Sequence, residues 1–216
     1  MKKSSSIKEI EVISPVTEKI LGKVPSANIN DTKDVIESAV SGFEEWKLFS
    51  GRERSKILRK VSELIIKRKN EIARFLSLEL GKPLDQSLGE ISMAVEQFEW
   101  YAEEAKRIYG QVIESRQNDA KVLIQHEPVG VVAAFTSWNF PVVLASRKIA
   151  PALAAGCSVI LIPAIEAPGS AMIFIQCLHE AKIPKGVINM ICGDPETFSK
   201  LLMDDPRLRK ISLTGS

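Results

Sequence analysis

Through the first half of the chain, apolar positions recur every three or four residues. Val35, Ile36, Ala39, Val40, Phe43 and Trp46 fall on one face of a helix that an Asn30 or Asp31 cap would open. A second long helical pattern follows Gly51, runs through Ile57, Leu58, Val61, Leu64 and Ile65 to Phe75, Leu76 and Leu80, and stops at Gly81 with Pro83 beyond. Ile91, Val95, Phe98, Tyr101, Ala102 and Ala105 predict a third helix ending near Gly110. Charged runs between these positions, such as Lys67, Arg68 and Lys69, read as solvated faces.

Between residues 111 and 127 the period shortens. QVIESRQNDAKVLIQHE holds two short β-prone runs around Gln117, Asn118 and Asp119, which predicts a hairpin. Val122, Ile124 and His126 alternate with Leu123 and Gln125, so His126 is expected as a strand side chain rather than a base or a metal ligand.

From Val129 to Leu178 charge nearly vanishes, with only Arg147, Lys148 and Glu166 remaining. The segment divides into a strand at 129–135, a helix at 141–155, a strand at 157–162, a helix at 167–181, a strand at 186–191, a short helix and a strand at 210–213. Continuous apolar strands separated by helices imply an α/β fold whose doubly wound parallel sheet is covered on both faces. Two uncharged stretches, 128–146 and 149–165, approach the length of a membrane span. Asn139 and Pro141 interrupt the first, and Pro151, Gly156 and Pro163 the second, which argues against a span. The expected organisation is a helical part at 1–110, a hairpin at 111–127 and a βαβ part at 128–216.

Composition narrows the function. The 216 residues are 45% apolar, enough for a substantial core, and 29 basic residues against 27 acidic ones give a net charge of only +2. No basic stripe points to nucleic acid. The opening MKKSSSIKEIEV lacks the apolar stretch of a signal peptide, so the expected location is cytoplasmic. Cys157, Cys177 and Cys192 sit in apolar surroundings without metal-binding spacing, so reduced, packed thiols are expected and no metal site. The final Leu213, Thr214, Gly215 and Ser216 form a strand end and a small-residue turn. In doubly wound sheets such a turn feeds a helix whose N-terminal N–H groups receive phosphate.

The segment TSWNFPVVLASRKIAPALAAGC, at 136–157, places the amide of Asn139 and the cations of Arg147 and Lys148 in an otherwise apolar run. Read from the residues alone, Asn139 caps the helix beginning near Pro141, and Arg147 and Lys148 pair with carboxylates of the helical half. Taken with RKIAPALAAGCSVIL, INMICGDPE and RKISLTGS, however, the run resembles the aldehyde dehydrogenase superfamily, specifically its succinate-semialdehyde dehydrogenase-like branch. SPVTEKILGKVP and GKPLDQSLGEI extend that resemblance over nearly the whole chain. It implies the NAD(P)-binding portion of an enzyme that oxidises a small aldehyde to a carboxylic acid. The implied fold is Rossmann-like, with N-terminal helices and the 111–127 hairpin as an oligomerisation arm that makes the protein a homo-oligomer. Asn139 is implied to stabilise the oxyanion and Lys148 to assist proton transfer. Arg147 is implied to grip a substrate carboxylate, for which a planar guanidinium suits. Thr136, Ser137, Trp138, Ile162, Ile165, Gly193, Ser199 and Ser216 fall at implied NAD or NADP contacts.

Departures from the family pattern cluster at those contacts. Ile162 and Ile165 stand where the family has a lysine and a glutamate for the adenosine ribose, while Ser199 and Glu18 replace glycines, Ser137 a proline and Leu213 a phenylalanine. The family's nucleophilic cysteine and general-base glutamate belong to motifs downstream of Thr-Gly-Ser, and none of the three cysteines here has a matching context. Without a thiolate to attack the aldehyde no covalent intermediate forms, so the isolated chain is expected to be inactive and to bind dinucleotide weakly. The alternative is a non-catalytic remnant that acts, if at all, through oligomerisation.

Overall fold

The computed structural model describes residues 8–215. Two strands, β1 (Glu9–Ile13) and β2 (Ile20–Pro25), pair antiparallel at the start. The SPVTEKILGKVP segment, which holds β2, resembles the family's opening strand segment, whereas periodicity gave no strand at β1, although Ile10 and Val12 alternate with Glu9 and Glu11 in the pattern of a half-exposed strand. Glu18, in the turn between them, has a left-handed φ of 55°, a conformation that favours the glycine of the family pattern.

Helix α1 (Ile29–Trp46) is capped two to three residues earlier than expected. Its N-cap is Asn28, whose side chain accepts from the backbone N–H of Asn30 and Asp31, while Asp31 answers as the acceptor for the N–H of Asn28. This is a capping box built by an Asn and an Asp three residues apart. The long pattern after Gly51 is two helices, α2 (Gly51–Lys67) and α3 (Lys69–Leu80), broken at Arg68, whose ψ of 10° leaves the helical region. The apolar period hides the break because both helices pack against the same partner. Arg68 is not a solvated charge either. Its side chain is mostly buried and bonds Glu71 at 2.8 Å, Glu180 at 3.0 Å and Gln176 at 3.1 Å, which ties the break to the far side of the molecule. Gly81 ends α3 at φ 68°, as its position suggested. Helix α4 (Leu84–Glu104) then passes into a single 3-10 turn at Ala105–Arg107.

The hairpin comprises β3 (Gln111–Glu114) and β4 (Lys121–Ile124), with every residue of both strands exposed. His126 lies beyond β4 and is exposed, so it is not a strand side chain.

The last half alternates strand and helix as its apolar blocks predicted: β5 (Val131–Phe135), α5 (Pro141–Ala154), β6 (Ser158–Ile162), α6 (Pro168–Glu180), β7 (Ile188–Met190), α7 (Pro195–Asp204) and β8 (Leu208–Leu213). These strands form one parallel sheet in the order β7-β6-β5-β8. Alternation decides which face each side chain serves. Val132, Ala134, Val159 and Leu161 join α5, α6 and the earlier helices α2 to α4 in one apolar cluster. Val131, Ala133, Ile160 and Ile162 join α1 and α7 in a second. The first cluster spans residues from Trp46 to Ile188, so the helical part and the sheet share a core; the Trp46 indole donates to Leu153 O at 2.9 Å within it. Among the described residues no helix is long and apolar enough to cross a membrane.

Candidate functional site

The chain runs from β5 outward to β6 and β7, then returns to place β8 on the other side of β5. The connection reverses between β5 and β8, and in open α/β sheets the crevice at the carboxyl ends of such strands is where ligands bind. Three loops meet there. Thr136 N–H donates to Ile162 O at 3.1 Å, joining the ends of β5 and β6, and Thr214 N–H donates to Phe135 O at 3.1 Å, joining the ends of β8 and β5.

The loop from Thr136 to Phe140 forms the centre of this end. Thr136 is buried, and its Oγ1 has no hydrogen-bond partner among the described residues. Trp138 and Asn139 are exposed. Asn139 does not cap α5. The N-cap is Phe140, with no side-chain capping bond, and the Asn139 amide is engaged elsewhere: Ser137 Oγ donates to its Oδ1 at 2.7 Å. Because an amide accepts at oxygen and donates at nitrogen, fixing Oδ1 leaves the NH2 group available to an incoming acceptor.

The capping of α5 comes from another element. Glu90, fully buried on α4, accepts at Oε1 from the N–H of Val142 at 3.0 Å and of Val143 at 3.2 Å, while its Oε2 pairs with Lys82 Nζ at 2.6 Å. Glu79, also buried, does the same for α6, accepting from Gly169 N–H at 2.6 Å and Ser170 N–H at 3.0 Å. Both helices thus start on buried carboxylates that suit the positive end of the helix dipole. Sequence reading passed over these residues. The signal was a carboxylate on the apolar stripe: Glu79 is three residues beyond Leu76, and Glu90 four before Ala94.

Arg147 and Lys148 diverge. Arg147 lies exposed on α5 and makes no ion pair or hydrogen bond among the described residues. Lys148 turns toward the sheet and donates to Ser212 Oγ of β8 at 3.0 Å; its pKa is lowered by burial. Neither pairs with the helical half, contrary to the simpler expectation.

The remaining candidates scatter. Ile162 is 2% exposed within the α1–α7 cluster, whereas Ile165, three residues on, is 43% exposed. Gly193 has φ 147°, and a Cβ there would meet the Phe198 ring at 2.6 Å and Ser26 Oγ at 3.0 Å, so its glycine serves close packing. Ser199 returns its hydroxyl to Pro195 O at 2.6 Å inside α7. Ser216 lies outside the described residues. The three cysteines are free and buried, and burial raises the thiol pKa of Cys177 to about 11 and of Cys192 to about 12. Among the described residues no group of three or more His, Cys, Asp or Glu is arranged to hold a metal ion.

The model of the aldehyde dehydrogenase family matches residues 1–216. The chain belongs to that family. It is 41% identical over 207 residues to a glutarate-semialdehyde dehydrogenase of Pseudomonas putida, covering 96% of this chain and 43% of that protein. It is 40% identical over 207 residues to a succinate-semialdehyde dehydrogenase [NADP(+)] of Escherichia coli, with the same shares. The crystal structure of an NAD-dependent aldehyde dehydrogenase from Sinorhizobium meliloti superposes with a TM-score of 0.96 at 33% identity, over 100% of this chain and 43% of that one. This aldehyde dehydrogenase chain therefore spans about two fifths of the length of the relatives it matches.

Proposed function

We propose that the chain is the portion of a semialdehyde dehydrogenase that receives the aldehyde, with Asn139 as the oxyanion donor, Arg147 as the clamp for a remote carboxylate and Lys148 as an aid to proton transfer. The observation that carries this reading is the Ser137–Asn139 hydrogen bond, which leaves a neutral, preoriented amide donor at the carboxyl end of the sheet. Arg147 supports it as an exposed guanidinium without a partner among the described residues, and Lys148 as a partly buried amine whose pKa is lowered by burial. The two semialdehydes in the relatives' names each carry a carboxylate as well as an aldehyde.

The family implies NAD or NADP, and the residues at the ribose end do not fit it. Ile162 is packed in an apolar cluster and Ile165 offers only hydrocarbon, so neither satisfies a ribose hydroxyl. The chain by itself is therefore proposed to turn over no aldehyde. Its buried thiols agree with that: raised values for Cys177 and Cys192 leave little thiolate to act as nucleophile.

The test is a chimera joining this chain to the remaining part of the Pseudomonas putida relative. Asn139→Ala should lower its kcat by about 10²- to 10³-fold. Arg147→Leu should penalise carboxylate-bearing aldehydes by about 1.5–3 kcal/mol relative to neutral ones. A chimera that turns over equally well without the Asn139 amide rules the reading out.

A second reading, a non-catalytic protein acting by self-association, is favoured by the exposed β3–β4 hairpin, where Val112, Leu123 and Ile113 face solvent. Sedimentation of the chain with and without Leu123→Glu distinguishes a hairpin-mediated homo-oligomer from a monomer.

A further inference from the structure

Lys82 stands in the turn between α3 and α4, beside Gly81 and Pro83, and its side chain is largely buried. Its ammonium makes three contacts. It pairs with Glu90 Oε2 at 2.6 Å, donates to the backbone carbonyl of Asn139 at 2.8 Å, and lies 4.0 Å from the centroid of the Phe140 ring. Glu90 Oε1 meanwhile holds the N–H groups of Val142 and Val143. One ion pair on the α3–α4 corner thus grips the chain on both sides of Pro141.

Capping α5 requires only the carboxylate, since its oxygens alone accept from the helix N–H groups. The Lys82 bond to Asn139 O is additional to that need. It acts on the peptide unit leaving Asn139, whose orientation governs where the Asn139 Cα–Cβ bond points. The side-chain amide is then fixed at its far end by Ser137. A donor in an exposed loop keeps its aim only if the backbone beneath it is held, because each free dihedral multiplies the orientations of the NH2 group.

We propose that Lys82, charge-balanced by Glu90, is a positioning residue that holds the Asn139 loop in the orientation required of an oxyanion donor. This rests on the role given to Asn139 above. It assigns to a helix–helix corner of the other half of the molecule a part in aiming the site.

The test reads the loop directly. The chain has three tryptophans, Trp46, Trp100 and Trp138, and the last adjoins Asn139. Labelled with 5-fluorotryptophan, it should give three 19F resonances, assigned by single Trp→Phe variants. The double variant Lys82→Met with Glu90→Gln removes both charges, so no lone ion is left buried, and keeps an amide oxygen for the α5 N–H groups. The expected result is a displaced and sharpened Trp138 resonance with Trp46 and Trp100 unmoved, and a return toward the original position in Lys82→Arg. An unmoved Trp138 overturns the proposal, as does equal displacement of Trp46, which would mark a fold-wide role. If the double variant does not fold, Lys82→Gln carries the same comparison and the same two outcomes. No turnover enters this readout, so its failure is separate from a failure of the Asn139→Ala test in the chimera.

Discussion

Ser137 Oγ donates to Asn139 Oδ1 at 2.7 Å, so the Ser137 hydroxyl orients the amide proposed above as the oxyanion donor. Removing the hydroxyl in Ser137→Ala frees the amide to rotate. The loop is exposed, so the stability of the chain should change by no more than about 0.5 kcal/mol. In the chimera kcat should fall by roughly tenfold, equivalent to about 1.4 kcal/mol of lost preorganisation. A larger loss of stability than of kcat would make the bond a structural one.

Glu79 should be more costly to truncate than to neutralise. Glu79→Ala leaves the N–H groups of Gly169 and Ser170 buried without an acceptor, costing about 2–4 kcal/mol in urea denaturation, while Glu79→Gln keeps an acceptor and costs less. The same residue sets a pH dependence. Burial raises its pKa above the ordinary carboxylate value, against the opposing bonds from Ser170 and Gly169. The folded state therefore favours the protonated form. Its contribution is fully present below the unfolded pKa and is lost as pH rises through the higher folded one. Relative to Glu79→Gln, the parent chain should lose stability as pH is raised across that window. Parallel denaturation midpoints for the two proteins would contradict it.

The two isoleucines at the implied ribose contacts should behave differently because their burial differs. Ile165→Glu, at an exposed position, should leave stability within about 0.5 kcal/mol, whereas Ile162→Lys inserts an ammonium among Ile36, Phe198 and Leu202 and should cost about 3 kcal/mol or more. Calorimetric titration with NAD and NADP should show weak binding to the parent chain. Binding of NAD should tighten by about ten- to a hundredfold in Ile165→Glu, the gain of one charged hydrogen bond, while NADP, whose 2′-phosphate a carboxylate repels, gains nothing. Tight binding to the parent would remove the ribose argument.

Glu18 holds a left-handed backbone at φ 55°. Glu18→Gly relieves a steric cost of about 1–2 kcal/mol and adds unfolded-state entropy that returns part of it, for a net gain near 1 kcal/mol. For a chain of this size that corresponds to a rise in Tm of about 2–4 °C, measurable by thermal unfolding.

Spacing alone was enough for much of the fold. The continuous apolar blocks after Val129 fixed the central strands β5 and β6, because a strand covered on both faces tolerates almost no polar residue; the edge strand β8, with Arg209 and Lys210, is mostly exposed. Gly81 marked its helix end for the same local reason, a backbone conformation that side chains resist. Periodicity gave neither the first strand nor the break at Arg68: the strand is short and only half apolar, and the break leaves the apolar period intact.

The site divides along a similar line. The motif around Asn139, Arg147 and Lys148 was visible in the chain because neighbouring residues carry it. Its aim was not. Glu90 and Lys82 reach it from 52 and 57 residues away, and Ser212 meets Lys148 across 64. Such contacts depend on how the helices pack on the sheet, and a linear pattern records only that a carboxylate sits on an apolar stripe. Packing also decided that Ile162 is core and Ile165 surface, since a strand buries its side chains until its last residue and the turn beyond it returns them to water.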